Sequence, residues 1–504
     1  MRIFEVVLIL VNLLSLFLSF RNQSKVVRLG VAGINLFIFL IHGIFERFRY
    51  QMIFSYIFVI IFVVFALVKA KYKLFQAKIP KMFKAIICSL STIFLIVTLV
   101  LAYALPVFKL PKPTGNYDVG IHYFHLIDEN RQDPFLDDIS NKRELMVKVY
   151  YPAKKDNSKP FDRYFHNSSQ LLKAFASGYH MPEFMFSHLK LINTNSKENL
   201  QVADKEQSYP VILFSHGAGT TMEVQTSQCE DLASQGYIVA AIDHAYVSWA
   251  TIFPDRVVTA QEAKTDFKVA DPAETITQIM ADDSKFVIDS LVKINEGHID
   301  SNLKGRLNID KIGAIGHSVG GAVAYNLAIN DSRIKAAVDL DGIVFVTPKN
   351  EREDMAPFLM IANDKYHIQG IQSREPLIKK FENMTEEDQK IAISMYGSEG
   401  LYKEAYQKAT QNITGLAEVL KSSGNLFTIE GSDHMKFTDL GVFIGFKQFR
   451  ELIGIGGNTT PTRCLEITKS VTVTFFNKHL KSGGKDTLQS QLNKYPELKK
   501  VNLQ

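Results

Sequence analysis

Cysteine is scarce: Cys88, Cys229 and Cys464 are the three in 504 residues. Three cannot build a disulfide framework, and no C-x-x-C or His/Cys run has metal-ligand spacing, so the sequence implies no structural metal and no cofactor. Acidic residues are nearly missing from one end. Residues 1–112 hold 14 Lys/Arg but only two acids, Glu5 and Glu46, a net of +12 within a chain of +5. Residues 113–504 therefore carry −7, and a mildly acidic larger part argues against nucleic-acid binding.

Charge is also absent from the middle of four apolar runs, at 3–20, 29–45, 52–68 and 84–107. Each is near the ~20 residues that cross a hydrocarbon core, so four transmembrane helices are expected over 1–108, with three as the main alternative because some runs are short. A cleaved signal peptide is not expected, because no small-residue cleavage site follows the first run and its basic region is Arg2 alone. Glu5, Arg28 and His42 fall near span ends, which leaves no ion path and favours anchoring over transport. The loops at 21–28 and 69–84 hold nine Lys/Arg. The other side holds five: Arg2, Arg47, Arg49, Lys109 and Lys112. The first set is expected in the cytoplasm, with both termini and the large domain on the extracytoplasmic side of the plasma membrane.

Lys109-Leu-Pro-Lys-Pro-Thr-Gly115 begins a linker over 109–116, and residues 117–504 form the large domain. Apolar strands are expected at Leu145–Tyr151, Pro210–Phe214, Tyr237–Ile242, Ile312–Ile315, Ile334–Leu340 and Pro357–Ala362, with Leu426–Ile429 as the last. Helices are expected near 223–235, 273–296 and 463–480, in a charged stretch at 376–421, and after the strand ending at 315. Residues 154–209 have no clear period. Alternating strands and helices imply an α/β fold with a parallel sheet covered on both faces.

Gly316-His-Ser-Val-Gly320 joins an apolar strand to the helical run Ala322–Ala328. This strand–turn–helix is the nucleophile elbow of an α/β-hydrolase, with Ser318 as nucleophile. A serine needs a base, and the base needs an acid to orient it, in the chain order Ser, acid, His. Asp339 and Asp341 share a strand face and periodicity does not separate them; Asp341, at the strand end beside Gly342, is preferred. His434 follows the final apolar strand directly and is the expected base. His317 is expected to point away from the site, His244 to be a pocket or structural residue, Asp433 a loop acid, and His216 no metal ligand. The oxyanion needs preset backbone donors. The Val319 N–H follows the nucleophile, and the Ala218 N–H lies in the Gly-rich loop His216–Gly219.

Together, Phe214-Ser-His-Gly-Ala-Gly219, Asp231–Ala241, Gly316–Gly321, Leu340-Asp-Gly342 and Gly431-Ser-Asp-His434 resemble the plasma-type (type II) platelet-activating factor acetylhydrolases, over about residues 117–480. The resemblance places that family's nucleophile on Ser318, its acid on Asp341, its base on His434 and its oxyanion donors on the amides of Ala218 and Val319. It implies a calcium-independent serine esterase for short or oxidised acyl chains, including those at the sn-2 position of phospholipids. The chain departs from the pattern in its membrane-spanning N-terminus and in the 93-residue interval from Asp341 to His434. The extra residues, at 376–421, are expected as a helical cap over the site, or else as decoration of its rim. The alternatives are a lipase-like or general carboxylesterase, an acyltransferase, or a non-catalytic membrane sensor with a hydrolase-like ectodomain.

Overall fold

A computed structural model describes all residues except 20, 22–23, 72–79, 167, 179, 265–271, 345–354, 364–366, 482 and 484–485. The chain forms two compact units. One comprises Met1–Lys109 with Ala176–Ile192 and Phe443–Ile453; the other comprises Leu110–Phe175, Asn193–Val442 and Gly454–Gln504.

The larger unit is built on one sheet. Its strands are β1 (Asp118–Gln132), β2 (Lys142–Ala153), β3 (Ser196–Glu198), β4 (Tyr209–Ser215), β5 (Ile238–Asp243), β8 (Leu307–His317), β9 (Ile334–Leu340), β10 (Phe358–Ala362), β11 (Leu426–Ile429) and β12 (Leu498–Lys500). Across the sheet they run β12-β11-β10-β9-β8-β4-β5-β2-β1-β3, and β6 (Ala250–Ile252) and β7 (Val257–Thr259) pair separately. The six strands β5, β4, β8, β9, β10 and β11 are parallel to their neighbours, while β2 and β12 flank this block antiparallel.

Period-two side chains explain why these strands read as continuous apolar runs. Val211, Leu213 and Met360 face one core cluster, and Ile212, Phe214, Leu359 and Ile361 face the other. Both faces must therefore be covered. Helices Pro272–Glu296 and Val319–Asn330 supply Met280, Val287 and Val323 to the first cluster. Helices Thr226–Ser234 and Pro461–Leu480 supply Cys229, Leu232, Ile467 and Val471 to the second.

Three sequence expectations change. Leu426–Ile429 is not the last strand, because β12 pairs outside it, with Phe427 opposite Lys500. The long β1 was not expected: its outer half, Asp128-Glu-Asn-Arg-Gln132, is polar and largely solvent-facing, which masks the alternation. Residues 154–209 contain the helix Ser168–Gly178, the 3₁₀ segment Glu183–Leu191 and β3. In the charged stretch, helices Glu386–Tyr396 and Glu399–Ser423 form. Leu416, Ala417 and Leu420 of the second belong to the sheet core, whereas Phe381, Ala392 and Tyr402 make a small cluster of their own.

The smaller unit contains the N-terminal helices. Of the four expected spans, three helices are long and apolar enough to cross a membrane: Lys25–Glu46, Tyr50–Lys71 and Lys81–Ala104. The first run forms the shorter helix Ile3–Ser19, whose 17 residues extend about 26 Å against a core of roughly 30 Å. Lys73 and Lys78 of the basic loop lie outside the described residues. This unit buries a set of polar side chains among its apolar ones and exposes many large apolar side chains. Glu5, Asn12, Ser15, Asn35, His42, Arg49 and Ser55 are buried, while Leu10, Phe17, Ile34, Phe37, Leu40, Ile60 and Ile61 are exposed. Glu5, expected to reach an interface, is instead held by Arg49, whose Nε and Nη2 donate to its carboxylate at 2.6 and 2.8 Å. Arg49 also caps the carbonyls of Ala102 and Leu105 at 3.0 and 2.6 Å, so one guanidinium ties the first helix to the last.

Candidate active site

β8 ends at His317 and the next helix begins at Val319, so Ser318 alone makes the turn. Its φ of 57° and ψ of −125° are strained for a side-chain-bearing residue. The turn closes only because two neighbours lack a Cβ. One added at Gly316 would lie 2.1 Å from the Gly320 carbonyl, and one at Gly320 would lie 2.1 Å from the Ser215 oxygen. The strained serine is thus raised at the carboxyl end of the parallel strands, where ligands of such sheets bind.

The next two strands bring the expected acid to this edge. Asp341 follows β9 with φ 59°, and its N–H donates to Ile361 O at 2.9 Å. Its carboxylate is buried and accepts from His434 Nδ1 at 2.7 Å. It also accepts from the backbone and side-chain nitrogens of Asn363, at 2.7 Å each, and from His367 Nδ1 at 2.7 Å. Burial pushes this carboxyl up, but the hydrogen bonds from His367 and His434 outweigh it and hold Asp341 well below the ordinary range. Asp339, the other candidate, makes no such contact: its Oδ1 accepts from the Gly342 N–H at 2.7 Å, and burial raises its pKa to about 8.

His434 opens the 3₁₀ turn His434–Phe437 after β11. His317, expected to point away from the site, packs against His434 instead. Its Nε2 donates to the His434 carbonyl at 2.9 Å, and the two rings lie 4.5 Å apart. Burial lowers the His317 pKa to about 3, so it is a neutral brace for the loop that carries His434. Ser318 N donates to Leu340 O at 3.0 Å, which sets the serine beside the acid's segment; no hydrogen bond joins its hydroxyl to His434 among the described residues.

The expected oxyanion donors belong to the two segments that meet at the serine: the helix start after it and the loop after β4. Val319 begins its helix, so its N–H has no intrahelical acceptor. Ala218 is exposed in the loop after β4, and a Cβ added at the adjacent Gly217 would come within 3.0 Å of Ser318 Cβ. Buried groups fix this loop. His216 Nε2 accepts from the His244 N–H at 3.1 Å, which leaves Nδ1–H to donate to Gly217 O at 2.8 Å. His244 bridges Ser215 Oγ at 3.1 Å and Asp283 at 3.0 Å, and Arg143 holds Asp283 at 2.7 Å. His244 is thus a structural histidine. The sequence reading missed His367 and Asn363; their one signal was position, just past the carboxyl end of β10.

The sheet order and the turn at Ser318 define an α/β-hydrolase. A solved ferulic acid esterase from Streptomyces cinnamoneus shares the fold, with a TM-score of 0.56 and 23% identity, covering 78% of this chain and 99% of that one. A family model described as platelet-activating factor acetylhydrolase, isoform II, matches residues 104–503, and the chain belongs to that family. Relatives named platelet-activating factor acetylhydrolase include those of Cavia porcellus, 25% identical over 56% of this chain and 66% of that protein, and Canis lupus familiaris, 28% identical over 46% and 55%. The chain thus spans less than two thirds of these relatives' length. A protein of Arthroderma benhamiae named probable 1-alkyl-2-acetylglycerophosphocholine esterase is 24% identical over 78% of this chain and 93% of its own length.

Proposed function

We propose that this protein is a membrane-anchored serine esterase that hydrolyses carboxylic esters, with short or oxidised acyl chains of phospholipids as its substrates. The observation that carries the reading is the 2.7 Å contact between His434 Nδ1 and the buried Asp341 carboxylate, at the sheet edge where Ser318 stands in a strained turn. In this reading Ser318 Oγ attacks the ester carbonyl and His434 Nε2 takes its proton. Asp341 holds the imidazole with Nδ1–H inward and stabilises the imidazolium. The amides of Ala218 and Val319 receive the oxyanion, and the leaving alcohol takes the proton back from His434. Water, deprotonated by the same histidine, then releases the acid and restores Ser318. The names of the relatives support a phospholipid ester as substrate.

The polarity of the N-terminal unit supports the anchor: buried polar groups pair inside while many large apolar side chains are exposed, as a hydrocarbon solvent demands. The loop at 69–84 carries six lysines, and along the sequence one more apolar run separates it from the catalytic unit. The positive-inside rule therefore puts that unit on the extracytoplasmic side whether or not Ile3–Ser19 spans.

The test is hydrolysis of a short-to-long p-nitrophenyl ester series without calcium, wild type against Ser318→Ala. Activity on short chains that falls roughly 10⁴-fold or more in the variant is expected. Equal rates in both, or no turnover by folded wild type, overturns the reading in favour of a binding protein.

A further inference from the structure

The catalytic acid has one imidazole more than the reaction uses. His367 Nδ1 lies 2.7 Å from Asp341 Oδ1, on the opposite side of the carboxylate from His434 Nδ1, 2.7 Å from Oδ2. The two rings stand 6.1 Å apart, and the ligand atoms of Asp341, His367 and His434 all lie within 4.8 Å of one another. We propose that these three residues form a binding site for a zinc-class divalent cation, and that its occupancy reversibly shuts off the esterase. This inference rests on the role given to His434 above.

The donor chemistry suits zinc: two imidazole nitrogens and one carboxylate oxygen form a three-ligand set that leaves a fourth position for water. The Asn363 N–H and side-chain amide already orient the carboxylate, as outer hydrogen bonds do in metal sites. The His434 side chain is 35% exposed, which gives the ion a way in. The other cluster of comparable size, Asp162, His166 and Glu198, is the poorer site, because the buried ammonium of Lys148 already neutralises Asp162 at 3.0 Å.

The inhibition follows from proton placement. In the free enzyme His434 carries its hydrogen on Nδ1, donated to Asp341, and keeps a lone pair on Nε2 for the serine proton. An ion bound to the Nδ1 atoms of His434 and His367 takes the places of the hydrogens they donated to Asp341, and each ring's one hydrogen moves through solvent to its own Nε2. Both imidazoles stay neutral and no net proton is released, but the His434 Nε2–H now faces the nucleophile as a donor, and the serine proton has no acceptor. These three residues are distant in sequence, so no motif announces the site.

Two measurements test the proposal. Calorimetric titration of full-length Ser318→Ala protein with zinc chloride, in chelator-free buffer, reads binding without any turnover. One ion per chain is expected, with affinity at least about 10-fold weaker when His367→Phe or His367→Gln is added to a protein of unchanged thermal unfolding. Cobalt(II) in place of zinc should give a four-coordinate visible band that the same substitutions remove. In wild type, zinc should abolish short-chain ester hydrolysis and a chelator should restore it; in His367→Phe the same zinc concentration should leave most of that variant's own metal-free rate. No binding, or binding indifferent to His367, overturns the site. Binding at this site without loss of rate overturns the inhibition. Absence of esterase activity in metal-free wild type overturns the catalytic reading instead, and leaves the calorimetric result to stand by itself.

Discussion

Asp339 and Asp341 are two residues apart, both buried, and opposite in character. Asp341 meets two imidazoles and an asparagine and stays ionised; Asp339 meets one backbone N–H and takes up a proton. The same burial acts on both, so the partners decide the charge. Asp341→Asn should lower kcat about 10⁴-fold with the fold retained, since an amide no longer holds the base in its working tautomer. Asp339→Asn should leave kcat largely intact and change the pH dependence of stability. Its folded pKa of about 8 lies above the ordinary 3.8, so the folded protein keeps a proton that the unfolded chain has lost. That contribution is full below pH 3.8 and is lost as pH rises toward about 8. In thermal unfolding across that range the Asn variant should lack this decline; a curve parallel to wild type would remove the assignment. Asp341 acts with the opposite sign: its contribution is present above 3.8 and is lost as pH falls through its depressed folded pKa.

At the scale of the element, the nucleophile turn depends on close backbone contact. Gly320→Ala drives a methyl onto the Ser215 carbonyl at 2.1 Å, and backbone on both sides leaves nothing flexible to yield. The expected cost is about 1–3 kcal/mol of stability, measured by denaturant unfolding, together with lost turnover as Ser318 shifts. The glycine spacing and the apolar strand before it made this element legible in the sequence. Asp341 at a strand end and His434 after an apolar strand were legible for the same local reason. His367 was not, because nothing local marks it; only the parallel pairing of β10 with β9 and β11 brings its loop to the same edge. β1 was missed because a half-exposed outer segment weakens a period-two signal.

For the whole molecule, the chain divides by solvent. The N-terminal unit exposes many large apolar side chains along its helices, whereas the sheet unit packs its apolar side chains into two core clusters. Protease added outside sealed right-side-out vesicles should degrade the catalytic unit and spare the loop at 69–84. Protection of the catalytic unit until the vesicles are opened would reverse the topology. The two units interleave in sequence, since Ala176–Ile192 and Phe443–Ile453 group with the N-terminal helices. Within that unit Gly445 N donates to Ala104 O at 2.9 Å, and the rings of Tyr50 and Phe184 lie 4.3 Å apart. No composition shift marks these segments.

Elements whose cause is local could be read from the residues alone: apolar runs near membrane length, period-two strands buried on both faces, and a Gly-bounded serine between strand and helix. Each follows from the side chains of a few consecutive residues. The folded arrangement alone shows which carboxyl meets His434, that His367 shares it, that Arg49 neutralises Glu5, and that two distant segments join the N-terminal helices. The first helix shows the same division. Its apolar composition was plain in the sequence, but among the described residues three helices, not four, are of membrane-crossing length. Those outcomes depend on contacts between residues far apart in the chain, which the folded geometry selects and local propensity does not encode.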